Sequence, residues 1–170
     1  RAFIRATAPG LSDPGAMLKR INQLLIPDTR RGKFVSLFYA ILDTDTGLLT
    51  YANAGHNPPL LIRATGQIES LQVRGMVLGV KPEIVPEVGR CQLEPGDGVV
   101  FYTDGVTEVF NASADIFGEE GLRRILRQHW GDGPHALVDQ IRQAVSEFSA
   151  TTAPHDDFTL VILQRSTLAE

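Results

Sequence analysis

Three carboxylates in this chain stand beside strongly apolar runs. Asp104 follows "VVFY" after a single threonine, and Asp156 and Asp157 directly precede "FTLVIL". A carboxylate at a strand end has a rigid base. If the two strands pair antiparallel, the end of one and the start of the other share a sheet edge, and so do their acids. Hard cations such as Mg²⁺ and Mn²⁺ take carboxylate oxygens held in this way. Aspartates also cap turns and strand ends for structural reasons alone, so the metal reading rests on the pairing.

Other residues could do chemistry in principle. His56 lies in "NAGHNPP". A histidine titrates near neutral pH and could act as a general acid, or it could hydrogen-bond its own loop as a turn residue. Asn53 and Asn57 beside it add turn chemistry. "LDTDTG", Leu42 to Gly47, has the apolar-Asp-x-Asp pattern of haloacid-dehalogenase-type nucleophile loops. The residues after it read as a returning strand, so a hairpin turn accounts for Asp43, Asp45 and Gly47. Cys91 has no histidine near it in sequence and reads as a buried or strand cysteine. His129, His135 and His155 have no zinc-site spacing. No Gly-x-Ser-x-Gly, phosphate-loop or dinucleotide fingerprint is present.

The bulk properties limit what can hold these residues. At 170 residues the chain suggests one domain with a core of useful size. Hydrophobic content of 43% and charged content of 21% are globular values. The net charge is −4 and no basic run occurs, which argues against a general nucleic-acid binder. A single cysteine excludes a disulfide scaffold and fits a cytoplasmic setting. No apolar stretch approaches the ~18–20 residues that span a bilayer, and no signal peptide is evident.

The elements follow from pattern. "SDPGAMLKRINQLL" starts a helix at a Ser12 or Asp13 cap with Pro14 in the first turn, and Met17, Ile21, Leu24 and Leu25 share a face. Lys33 to Asp43 reads as a strand buried on both faces or nearly so, and "LLTYANAG" returns as its hairpin partner. Pro58 and Pro59 mark the start or edge of a short strand at "LLI". "TGQIESLQ" is a further turn and strand, and "EPGDG" turns into "VVFY". A second helix runs from Phe117, with acids first, arginines later and Leu122, Ile125 and Leu126 as its apolar face. A third aligns Leu137, Ile141, Ala144, Val145 and Phe148. "DDFTLVILQ" closes as a buried strand. Hairpin strands and three helices without βαβ alternation predict an α+β layered fold.

Taken together, "FVSLFYAILDTDTGLLTYANAGHNPPLLI", "VLGV", "LEPGDGVVFYTDGVTEVFN", "FGEEGLRRIL" and "DDFTLVIL" resemble, in order, the PPM-type serine/threonine phosphatases, most closely their bacterial SpoIIE/RsbU branch. The resemblance runs from about Lys33 to Gln164. It implies an antiparallel β-sandwich flanked by helices, with two Mg²⁺ or Mn²⁺ ions serving a water that attacks phosphoserine or phosphothreonine directly. Asp104 of "TDG" and Asp156 of "DDFT" match metal ligands. Asp157 matches a position that orients its neighbour. Gly105, His56 and Asn57 match loop positions of the site. Substrates in this branch are often phosphorylated anti-sigma-factor antagonists of partner-switching circuits, and sensory domains commonly lie upstream.

The family's upstream Gly-Asp motifs, which supply a bridging aspartate, are not found in these 170 residues. "RAFIRATAPG" resembles the helix that follows them. The expectation is a single partial domain over residues 1–170, lacking the first strands. By itself it would have little or no phosphatase activity and would self-associate through exposed sheet edges. The competing reading is a non-catalytic module that docks a regulator.

Overall fold

The computed structural model describes residues 12–27, 33–149 and 157–167. "RAFIRATAPG", Asp156 and His155 lie outside the described residues. The chain forms two compact units. The described residues among 12–58 and 71–93 contribute to the first, and those among 59–70 and 94–167 to the second.

The first unit pairs a helix with a three-stranded antiparallel sheet. Helix α1, Pro14–Leu25, starts where its cap signal places it. The Asp13 carboxylate accepts the Ala16 N–H at 2.6 Å, satisfying a donor that has no intrahelical partner. Strands β1 (Leu37–Leu42), β2 (Leu48–Ala54) and β5 (Val88–Gln92) lie in the order β1-β2-β5. The β1–β2 hairpin closes through Asp43, whose Oδ1 accepts the N–H groups of Asp45 at 3.1 Å and Thr46 at 2.9 Å. Gly47 completes the turn at φ 79°, a backbone region open to glycine. The hydrogen bonds from Thr46 hold the Asp43 carboxyl below its ordinary range. "LDTDTG" is thus the hairpin turn.

The second unit pairs helices with a four-stranded antiparallel sheet in the order β4-β3-β6-β7. Its strands are β3 (Leu60–Ile62), β4 (Ile68–Ser70), β6 (Gly98–Tyr102) and β7 (Leu160–Gln164). Pro58 and Pro59 immediately precede β3, outside the ladder where their missing N–H groups do no harm. Helices α2 (Asp104–Thr107), α3 (Gly118–His129) and α4 (Pro134–Ser149) follow, with a 3₁₀ turn at Trp130–Asp132 between the last two.

Each sheet buries one face against its own helices. In the first unit Met17, Leu18 and Ile21 of α1 pack with Ala52, Ala54 and Leu78. In the second, Leu60, Ile62, Val100 and Tyr102 of the sheet pack with Leu122, Leu126, Leu137 and Ile141 of α3 and α4. This is an α+β architecture with antiparallel sheets, as the pattern predicts.

Four expectations change. The strand expected from Lys33 is regular only over Leu37–Leu42, and all of its residues are half-buried. The final strand is likewise half-exposed. Both stand at the end of a sheet order, where among the described residues one flank has no strand to cover it. Strand β5 escapes the pattern because "VGRCQ" lacks a β-branched run. Its Gly89 sits where any Cβ would lie 2.5 Å from the Tyr51 ring, so the cross-strand tyrosine requires the glycine. On α1 the fully buried residues include Leu18 and Asn22, while Leu24 and Leu25 are half-exposed. The Asn22 amide donates to the carbonyls of Lys81 at 2.8 Å and Pro82 at 3.1 Å. Its Oδ1 accepts the Gly79 N–H at 2.8 Å, which satisfies the buried side chain.

Candidate metal centre

Strand β6 is the rigid base of the site. Val99 and Val100 have no exposure, and β6 lies between β3 and β7. Its last residue, Tyr102, is anchored at both ends. The backbone pairs with Leu160 of β7, and the buried phenol donates to Glu119 Oε2 at 3.1 Å. Burial and the Glu119 carboxylate both push the phenol pKa up. Glu119 in turn accepts Arg123 Nε at 2.7 Å, and Arg123 reaches Ser70 Oγ at 2.7 Å and the Ile68 carbonyl at 3.2 Å. The network ties β6, α3 and β4 together just before the acidic turn.

The chain leaves β6 through Thr103, which keeps an extended backbone at φ −94° and ψ 164°. Asp104 then opens the single turn α2, where a simple turn was expected. Val106 and Thr107 are buried and draw the turn down onto the core, while Asp104 stays exposed. Its carboxylate accepts the Gly105 N–H at 3.0 Å, and its carbonyl accepts the Glu108 N–H at 2.6 Å.

Strand β7 arrives antiparallel to β6, with Phe101 opposite Val161 and Tyr102 opposite Leu160. The end of β6 and the start of β7 therefore share one sheet edge, which brings Asp104 and Asp157 to that edge. The two segments are also bonded directly. The Thr103 N–H donates to the Thr159 carbonyl at 3.1 Å. The Thr103 hydroxyl donates to the Asp157 carbonyl at 2.8 Å and accepts the Thr159 N–H at 3.0 Å. Asp157 is exposed.

His56 and Asn57 belong to the first unit, in the loop that follows β2. His56 is held by its own loop. Its N–H donates to Asn53 Oδ1, and its carbonyl accepts Asn53 Nδ2, each at 2.8 Å. Its ring Nδ1 lies 3.1 Å from Ser36 Oγ. Asn53 is buried, and its two-way bond to His56 is the loop's clasp.

Hard carboxylate oxygens on a strand end fit a divalent cation of the Mg²⁺ or Mn²⁺ class. Among the described residues, no group of three His, Cys, Asp or Glu side chains gathers closely enough to hold a metal ion. Sequence reasoning passed over Thr103 and the Tyr102–Glu119–Arg123 network, whereas the turn role read for His56 and Asn53 is the one their bonds show. A hydroxyl beside an acidic strand end was the available signal for Thr103.

The family model described as stage II sporulation protein E (SpoIIE) matches residues 1–166. The phosphoserine phosphatase RsbU of Bacillus subtilis (strain 168) is 28% identical over 153 residues, covering 89% of this chain and 45% of that protein. The chain thus spans less than half the length of this relative. The SiaA-PP2C domain of Pseudomonas aeruginosa superposes with a TM-score of 0.80 at 18% identity, covering 96% of this chain and 63% of that one. The Mn-presoaked phosphatase domain of the cell fate determinant SpoIIE from Bacillus subtilis gives a TM-score of 0.66 at 19% identity, covering 99% and 74%. At these identities the structures establish a shared PP2C-type fold. The match over 166 residues establishes more: the chain belongs to the SpoIIE family.

Proposed function

We propose that this chain is part of a metal-dependent protein serine/threonine phosphatase, with both units forming one SpoIIE-type domain. The family match across both units supports the single-domain reading. The observation that carries the activity is the exposed Asp104 at the end of a buried strand, bonded through Thr103 to the segment that presents Asp157. Asp104 and Asp156 would hold Mn²⁺ or Mg²⁺. Asp157 would orient its neighbour, and Gly105 would contribute a site loop. When bound, two such ions lower the pKa of a water and neutralise charge on phosphoryl oxygens. The chain supplies rigidity: β6 fixes one carboxylate, and the Thr103 bonds fix the other segment.

The substrate we propose is a phosphoserine or phosphothreonine protein, specifically a phosphorylated anti-sigma-factor antagonist in bacterial partner switching, in the cytoplasm. The phosphoserine phosphatase RsbU among the relatives supports this class. No helix among the described residues is long and apolar enough to cross a membrane. Two carboxylates leave a hard cation largely hydrated, so we expect low turnover from these 170 residues by themselves, and self-association through the β7 edge. The second reading is a regulator-docking module without chemistry.

The test is hydrolysis of a phosphoserine protein by the chain with and without Mn²⁺, beside Asp104→Asn. Mn²⁺-dependent turnover that falls by about 100-fold or more in the variant supports the phosphatase. Mn²⁺-dependent thermal stabilisation with no turnover favours the docking module. Turnover indifferent to both metal and Asp104 overturns the site.

A further inference from the structure

We propose that Thr103 is a positioning residue of the metal centre, its hydroxyl holding the two acid-bearing segments in fixed register. The proposal rests on the metal-site reading above. The regular β6–β7 ladder ends at Tyr102 and Leu160. Beyond it the Asp157–Thr159 segment is exposed and has no further strand rung to place it. Thr103 continues the pairing by other means. Its backbone N–H goes to the Thr159 carbonyl, its hydroxyl hydrogen to the Asp157 carbonyl, and its hydroxyl oxygen to the Thr159 N–H.

A hydroxyl offers one donor and two acceptor sites, and here one group of each kind is used on the same segment. Asp104 is the very next residue. A displacement of the Asp157 segment relative to Thr103 is therefore a displacement of one acid relative to the other. Valine has the shape of threonine and can make neither hydroxyl bond. Serine can make both. The core does not depend on the hydroxyl, because the ladder and the buried Val100, Tyr102 and Val106 remain in either variant. Groups that orient metal-binding side chains typically change metal affinity about 10–100-fold when removed.

The experiment measures Mn²⁺ affinity by calorimetry and the exchange rate of the Thr159 amide hydrogen in the metal-free protein. It uses the wild type, Thr103→Val, Thr103→Ser and Asp104→Asn. The expected result is Mn²⁺ binding about 10-fold or more weaker in Thr103→Val, with Thr159 exchange about 10-fold faster, and both restored in Thr103→Ser. Asp104→Asn should abolish saturable binding while leaving Thr159 exchange unchanged. If Asp104→Asn loses Mn²⁺ but Thr103→Val binds it as the wild type does, the positioning role falls and the metal site stands. If Thr103→Ser is as weak as Thr103→Val, the hydroxyl is not the cause and the proposal falls. If Asp104→Asn binds as the wild type does, the site reading falls and takes this proposal with it. Should Thr103→Val fail to fold, Thr103→Ala is read in the same way.

Discussion

Asp97 carries a carboxylate with 4% side-chain exposure, in the "EPGDG" turn that opens β6. Burial alone would raise its pKa, but the N–H groups of Glu94 and Ala64 and the Arg63 guanidinium more than offset this and hold the carboxyl below its ordinary value. The contacts are 3.0 Å, 2.8 Å and 2.9 Å respectively. A carboxyl depressed in the folded state stabilises the fold above its unfolded pKa of about 3.9, and that contribution is lost as pH falls through the folded value. Asp97→Asn should therefore destabilise the protein by about 2–4 kcal/mol at pH 7 in urea unfolding. The gap between variant and wild type should narrow as pH drops below about 4; a constant gap down to pH 3 would show that the charge is not the source. Asp97 was not legible as a structural centre, because its partners Arg63 and Ala64 lie in the β3–β4 turn, 34 and 33 residues upstream. Asp104 was legible, because an acid after "VVFY" is a local signal. Thr103 was not, because its hydroxyl partners lie 54 and 56 residues downstream.

At the scale of elements, α3 and α4 were the most readable, since their apolar residues recur every three or four positions, Glu119 and Glu120 stand in the first turn of α3, and Pro134 opens α4. Packing follows that spacing. Leu122, Leu126, Leu137 and Ile141 have no exposure, and Phe117 meets Phe148 edge-on with ring centroids 5.5 Å apart. Leu126→Ala should cost about 3 kcal/mol, the transfer of the lost methyls plus a cavity. Arg127→Ala, one residue along, should cost less than about 0.5 kcal/mol. Its side chain is 51% exposed and lies 3.5 Å from an exposed Glu120, an ion pair of the weak surface class. Equal losses for both in chemical denaturation would contradict the assigned helix face. What the pattern could not convey was the number of neighbours each strand has. "LFYAIL" and "LVILQ" are as apolar as β6, yet they stand at the ends of their sheet orders and are only half-buried. The one-turn α2 is too short for any periodicity, and "VGRCQ" hides a strand behind a glycine that Tyr51 requires.

At the scale of the molecule, β7 is one of the two end strands of the second unit's sheet among the described residues, the other being β4. Strand β7 pairs with β6 and, among the described residues, with no other strand. Val161 on it is 54% exposed, and Phe158 just before it is also open. A half-exposed apolar edge offers both backbone hydrogen bonds and side-chain contacts to another strand. Natural edges are commonly blunted by a lysine, and β7 has none. The expected behaviour is concentration-dependent association of this chain, seen as a rising mass in multi-angle light scattering. Val161→Lys should lower that mass at equal concentration without lowering the thermal midpoint, because the charge can remain in water in the separated chain. A monomeric mass at every concentration, or association unchanged in Val161→Lys, would remove β7 as the interface. Because Val161 lies opposite Phe101, one residue before Tyr102, a partner strand on β7 would adjoin the segment leading to Asp157. Association and Mn²⁺ affinity should then shift together in the wild type and separate in Val161→Lys.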